Sequence, residues 1–216
     1  VHYQIEAMRH AYVDRNSYLG DPDFVKSPLE RLLDKNYAAS LCAVIDPNKA
    51  GNAVSLTYTL NGWFGAPNLF GLVQGEANSI APGKRPLSSM SPTIVTKDGK
   101  PVMVVGTPGG SRIITAVLHS IINVIDYGMN VQEAVDAPKF HQQWLPDLTN
   151  LETFSVSPDT RKLLEAMGHK LGGPQPANHL AAILIGAPTL GGKPVGKNRF
   201  YGANDPRRNS GLALGY

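Results

Sequence analysis

Apolar positions recur at helical spacing between Ile113 and Tyr127, where Ile113, Ile114, Val117, Leu118, Ile121, Ile122, Val124 and Ile125 form one continuous stripe. Directly upstream, the run Val102-Met103-Val104-Val105 predicts a short buried strand. Between the two lies Gly106-Thr107-Pro108-Gly109-Gly110-Ser111-Arg112, so a strand passes through a glycine turn into a helix.

The rest of the chain is read outward from that junction. Val1 to Asp14 predicts a helix with Ile5, Met8, Ala11 and Tyr12 on one face and Glu6, Arg9 and Arg15 on the other. Gly20 and Pro22 turn the chain at Tyr18–Phe24, where Asp21 and Asp23 are expected to bond nearby backbone amides rather than a metal. Ser27-Pro28-Leu29-Glu30 opens a second helix through Ser40 or beyond, ended by Asp46-Pro47-Asn48. From Gly51 the character changes: Asn52 to Leu60 alternates as a strand, with Ser55, Thr57 and Thr59 on one face, and Ala66 to Asn78 reads as loop. The hydroxyl row suits a solvated face or the floor of a polar pocket equally.

Lys84 to Pro92 is stiff and non-helical, with Ser88, Ser89 and Ser91 between prolines. Thr93–Thr96 is a strand, and Asp98-Gly99 centres a hairpin turn that leads back to Gly106. The hairpin therefore carries the serine segment and the Pro-Gly-Gly turn at one end. Beyond the central helix, Asn130 with Glu133 predicts a capped short helix to Ala137, and Phe140 to Pro146 an aromatic loop in which His141 is read as a satisfied, partly buried imidazole. Ser157-Pro158 caps a helix to Met167, stopped by Gly168, and strands follow at Leu180–Ile185 and Arg199–Ala203.

Composition narrows the class. The 216 residues are 42% hydrophobic and 17% charged, enough for a full core. A net charge of +3 and a pI near 9.0 are mildly basic, but the charges are interspersed, which argues against nucleic acid or a membrane surface as partner. The single cysteine, Cys42, excludes an internal disulfide and is expected to be buried. No apolar run is long enough for a bilayer, and an export signal, if used, is expected upstream of Val1.

Adjacent glycines at the mouth of a helix leave backbone N–H groups open to a negatively charged oxygen, so the turn suits an oxyanion or a phosphate; the plain alternative is a tight turn capped by Ser111. Longer stretches add to this. Gly51-Asn52-Ala53-Val54 through Tyr58-Thr59-Leu60-Asn61, Lys84 to Thr93, Pro108 to Ile113, Phe140-His141 to Trp144-Leu145-Pro146, and Tyr201-Gly202-Ala203 with Asp205-Pro206-Arg207 resemble γ-glutamyltranspeptidase in the same order. Tyr12 to Phe24 is similar to the end of that family's large subunit.

The resemblance implies an α+β fold of the N-terminal nucleophile hydrolase type, a four-layer αββα sandwich. Residues 1–50 would be the C-terminal part of a large-subunit region and 51–216 a small-subunit region, both packing into one domain. It implies a self-cleaving precursor, a threonine acyl-enzyme and transfer of γ-glutamyl groups from glutathione or glutamine to water, amino acids or peptides. No cofactor or metal is implied, and the location is periplasmic or secreted. By matching position, Gly109 and Gly110 supply oxyanion N–H groups, Thr59 supports the nucleophile, Ser88 and Ser89 hold the substrate α-carboxylate, Asn61 bonds the γ-glutamyl head group and Met90 lines the pocket.

Three features of the family are missing. Its Thr-Thr-His stretch, which begins with the nucleophile, precedes the segment matched by Gly51–Val54, yet Asp46-Pro47-Asn48-Lys49-Ala50 stands there and no Thr-Thr-His occurs in the chain. The glycine-rich stretch and Asn-rich lid loop expected between Phe64 and Pro67 are missing too, and no arginine here matches the carboxylate-binding one of the large subunit. Either the sequence joins pieces of a longer polypeptide or a true deletion has left a non-catalytic γ-glutamyl- or anion-binding relative; an unprocessed precursor is a further alternative. A helix end meeting a strand start at Ala50-Gly51 without turn chemistry favours joining.

Overall fold

A computed structural model describes residues 1–50, 75–175, 178–197, 199–207 and 212–213. The strand expected at 52–60, with Thr59 and Asn61, lies outside these residues, as does most of the loop after Ala66. Two compact units divide the chain. The first comprises Val1–Ser88, His141–Leu151 and Val156–Gly173; the second comprises Ser89–Phe140, Glu152–Ser155 and Pro174–Tyr216.

In the first unit, helix α1 (His2–Tyr18) outruns its predicted end by four residues. Its buried face holds Ile5, Met8 and Tyr12 as expected, but also Glu6, Arg9 and Arg15, while Ala11 is exposed. The charged residues are inside because they pair: Arg9 reaches Glu6 at 3.4 Å and Asp147 at 2.7 Å. Gly20 then lets the chain pass the Ala77 carbonyl, which a Cβ there would meet at 2.1 Å.

The helix expected from Ser27 to Ser40 is broken into α2 (Leu29–Leu32) and α3 (Lys35–Ala43). The interruption comes from Asp34, whose carboxylate accepts the Asn36 N–H at 2.6 Å and starts a new helix. Cys42 is exposed rather than buried, on a helix with no buried residue. Further along, α6 (Pro158–Ala166) has its Ser157 cap, its first-turn proline and Gly168 at φ +98° as its stop.

The second unit is built on an antiparallel sheet in the order β1-β2-β6-β7: Thr93–Lys97, Lys100–Gly106, Ala181–Ile185 and Phe200–Asn204. Asp98 (φ +51°) and Gly99 (φ +74°) form the predicted hairpin turn. Helices α4 (Arg112–Ile125) and α5 (Val131–Asp136) cover one face, where Met103, Val105, Ala182, Leu184 and Ala203 meet Ile113, Ala116, Val117, Val124 and Val135. The other face carries a cross-strand row, Ile94–Val104–Ile183, that is exposed. A helix layer on a sheet is thus seen in this unit, in keeping with an α+β fold. The capping box of Asn130 and Glu133 forms as predicted.

A second sheet takes the order β3-β4-β5, from Phe140–His141, Thr149–Glu152 and Leu171–Gln175. None of these strands was expected: β3 has two residues, and β5 runs through Gly172-Gly173-Pro174, a composition that reads as turn.

Candidate active site

The strand–turn–helix junction forms as its pattern requires. Val105 pairs with Thr93, which brings the end of the serine segment beside the end of β2. Gly109 and Gly110 take φ values of +147° and +60°, a combination suited to glycine. The first turn of α4 closes on them: Arg112 N–H donates to the Gly109 carbonyl and Ile113 N–H to that of Gly110, each at 3.2 Å.

A trans peptide sets its N–H opposite its C=O, so the Gly109 carbonyl, turned into the helix, sends the Gly110 N–H outward. The Pro108 carbonyl accepts from the Thr107 hydroxyl at 2.7 Å, which turns the Gly109 N–H to the other side. Among the described residues neither glycine amide donates to a protein acceptor. With the positive end of α4 behind them, they are suited to a developing oxyanion. Ser111 makes no side-chain cap bond, so the plain capped-turn alternative is not what forms.

A polar support stands behind this turn. Buried Asn178 donates from Nδ2 to the Arg112 carbonyl at 3.1 Å, and its own N–H bonds Glu152 Oε1 at 3.0 Å. Glu152 Oε2 in turn accepts from Lys139 N–H and Arg207 Nη1, both at 2.9 Å, and Arg207 grips Asp205. Lys139 Nζ caps α5 through the Val135 and Ala137 carbonyls. Burial pushes its ammonium down to about 8, with Glu152 opposing. Asn178 and Glu152 carry no local sequence signal, because their role exists only once β4, α5 and the chain end converge.

Of the other predicted residues, Ser89 is half-buried within the second unit, with its carbonyl accepting from the Ser91 hydroxyl at 3.1 Å. Met90 is 75% exposed, and Ser88 is an exposed residue of the first unit. His141 is fully satisfied, bonded to Gln143 at 2.9 Å and edge-on to Tyr12. Asp21 accepts the Asp23 and Arg85 amides and also pairs with the Arg85 guanidinium.

One donor cluster went unforeseen. His2, Glu6 and His169 are buried with ligand atoms within 4.8 Å of one another. His2 Nε2 faces the Asp46 carbonyl at 2.8 Å and must carry a proton, which makes Nδ1 the acceptor for His169 Nε2–H at 2.7 Å. His2 Nδ1 and His169 Nε2 are thus committed to each other, His169 Nδ1 faces Glu6 Oε1 at 3.8 Å, and Arg9 already supplies Glu6 with a cation. Burial and then Arg9 push the His169 imidazole down to about 4. The cluster is structural.

The family profile described as Gamma-glutamyltranspeptidase matches residues 1–50 and 65–215, with 51–64 unmatched. A Glutathione hydrolase proenzyme of Pseudomonas sp. is 63% identical over 267 positions that take in 100% of the chain and 46% of that protein. The Glutathione hydrolase proenzyme of Escherichia coli is 44% identical over 263 positions, covering 98% of the chain and 44% of that protein. The chain spans about half the length of the curated relatives it matches, and an alignment of 267 positions against 216 residues means those relatives hold internal segments without a counterpart here. Among solved structures, a mutant Helicobacter pylori gamma-glutamyltranspeptidase is 46% identical at a TM-score of 0.58, covering 73% of this chain and 95% of that one.

Proposed function

The chain belongs to the gamma-glutamyltranspeptidase family, and from that premise we propose that it is part of an enzyme that transfers γ-glutamyl groups from glutathione and related compounds to water or to an amine. The observation that supports this reading most is the glycine turn at the start of α4, where Gly109 and Gly110 take positive φ and their amides donate to no described protein acceptor. Each such donor is worth about 3 to 4 kcal/mol of barrier in comparable sites.

The attack belongs to a threonine hydroxyl with its own α-amine as base, a pairing that calls for no metal or cofactor. No Thr-Thr-His stretch occurs among the 216 residues, and on this reading the attacking threonine belongs to a part of the polypeptide that would stand between Ala50 and Gly51. Residues 1–50 are then the tail of a large subunit and 51–216 most of a small one, and the remainder of the same precursor is the principal partner. Ser88 and Ser89 receive the substrate α-carboxylate, Met90 forms a wall, Asn61 holds the head group and Thr59 supports the nucleophile. Export to the periplasm or beyond the cell goes with this reading; among the described residues no helix is long and apolar enough to cross a membrane.

The rival is a binding protein that keeps the anion seat without turnover, a reading that the relatives, named hydrolase proenzymes, do not favour. Hydrolysis of a γ-glutamyl anilide by the complete polypeptide, accelerated by a dipeptide acceptor, is the expected result. Binding of glutamate without turnover or covalent labelling by a glutamine analogue would leave the rival standing.

A further inference from the structure

Two adjacent glycines have no side chains to hold their peptide planes, so the direction of the Gly109 and Gly110 amides must be imposed from outside. Asn178 is placed to do this. Its Nδ2 donates to the Arg112 carbonyl at 3.1 Å, beside the Thr115 hydroxyl that bonds the same oxygen at 3.1 Å. Its Oδ1 lies 2.9 Å from the point a Cβ on Gly109 would occupy, with Cγ at 3.3 Å. Behind it, Glu152 Oε1 accepts the Asn178 N–H at 3.0 Å, and Glu152 is itself fixed by Lys139 and Arg207.

We infer that Asn178 is a positioning residue for the acyl transfer: its carboxamide, held from behind by Glu152, packs under Gly109 and fixes the direction of the glycine amides. The inference rests on the reading of the turn as an oxyanion seat. A carboxamide fits the place chemically. One end donates to a carbonyl that can only accept, the other fills the space left by the missing Cβ, and the group brings no charge to a turn that must receive a negative one.

The test uses the complete, processed polypeptide. Steady-state hydrolysis of a γ-glutamyl anilide is measured for wild type, Asn178→Asp, Asn178→Ala, Gly109→Ala and the double variant Gly109→Ala/Asn178→Ala. Each kcat is divided by the fraction of sites titrated with a covalent glutamine analogue, which removes differences in folding and processing. Asn178→Asp keeps the shape but opposes the Arg112 carbonyl and adds charge, so its kcat falls on the order of 100-fold with KM nearly unchanged. Gly109→Ala collides with Oδ1, and Asn178→Ala removes the collision, so the double variant loses less than the product of the two single losses.

Unchanged turnover per titrated site in Asn178→Asp, or losses that simply multiply in the double variant, overturns the inference. Because Asn178→Asp preserves side-chain volume, it decides the matter even where Asn178→Ala does not fold. A wild type without turnover removes the acyl-transfer reading and this inference with it, whereas an active wild type with unaffected variants removes the inference alone.

Discussion

Glu152→Gln isolates the polar support beneath the glycine turn. Glu152 is 9% exposed and accepts Lys139 N–H and Arg207 Nη1 on one oxygen and Asn178 N–H on the other. Glutamine keeps the shape but offers one oxygen. With that oxygen toward Lys139 and Arg207, its NH₂ confronts the Asn178 N–H, donor against donor. Leaving that buried amide unmet costs about 1 to 3 kcal/mol, and weakening the bond from partly exposed Arg207 adds about 1. A loss of about 3 kcal/mol corresponds to a melting temperature lower by roughly 6 to 12 °C for a chain of this size.

The pH dependence gives a second reading. Lys139 titrates at about 8 when folded against an ordinary 10.5, so the unfolded chain holds a proton that the folded chain lacks across that window, and this group's contribution to stability rises with pH between them. Glu152 favours charged Lys139, so the variant's deficit is greatest below pH 8 and narrows as Lys139 loses its proton. Thermal unfolding of both proteins at pH 7 and at pH 9.5 measures this. A shift at pH 7 corresponding to less than about 1 kcal/mol would refute the reasoning, as would a deficit that grows with pH.

A Cβ added at Gly99 meets no atom within 4 Å, so Gly99→Ala is penalised only for its φ of +74° and destabilises by about 1 to 2 kcal/mol in denaturant titration. Asp21 is held well below the usual carboxylate range by hydrogen bonds from Arg85, so its contribution is complete at neutral pH and is lost as pH falls below about 4. Asp21→Asn therefore loses stability at pH 7 and shows a flatter acid limb in a melting series. His169, held down to about 4, stays neutral when folded while the unfolded chain protonates below its ordinary 6.5, so stability is lost as pH drops from 6.5 towards 4. NMR titration of its ring should give a midpoint near 4, and a midpoint near 6.5 would contradict the buried pair with His2.

The parts legible in the sequence were those whose cause is local. The stripe from Ile113, the Asp98-Gly99 turn, the Asn130–Glu133 box and the Ser157-Pro158 start each depend on residues within one or two turns, and each forms. The α2–α3 break was hidden because Asp34 competes with a helix that Leu29–Ser40 otherwise supports. Glu6 and Arg9 looked solvent-facing because Asp147, which pairs with Arg9, and His169, which faces Glu6, lie far along the chain. The glycine turn was visible as the link between a strand and a helix, but Asn178 and Glu152 behind it were not, since their geometry needs β4, α5, β6 and the chain end together. Strand β5 was masked by its glycines and proline.

The central claim is acyl transfer over the Gly109–Gly110 turn, and the most direct measurement is rapid-quench mass spectrometry of the complete polypeptide mixed with a γ-glutamyl anilide. The prediction is a transient mass increase of one γ-glutamyl group on an N-terminal threonine of the small subunit, lost on adding a dipeptide acceptor. Aniline release with no such adduct, or an adduct on another residue, would contradict it.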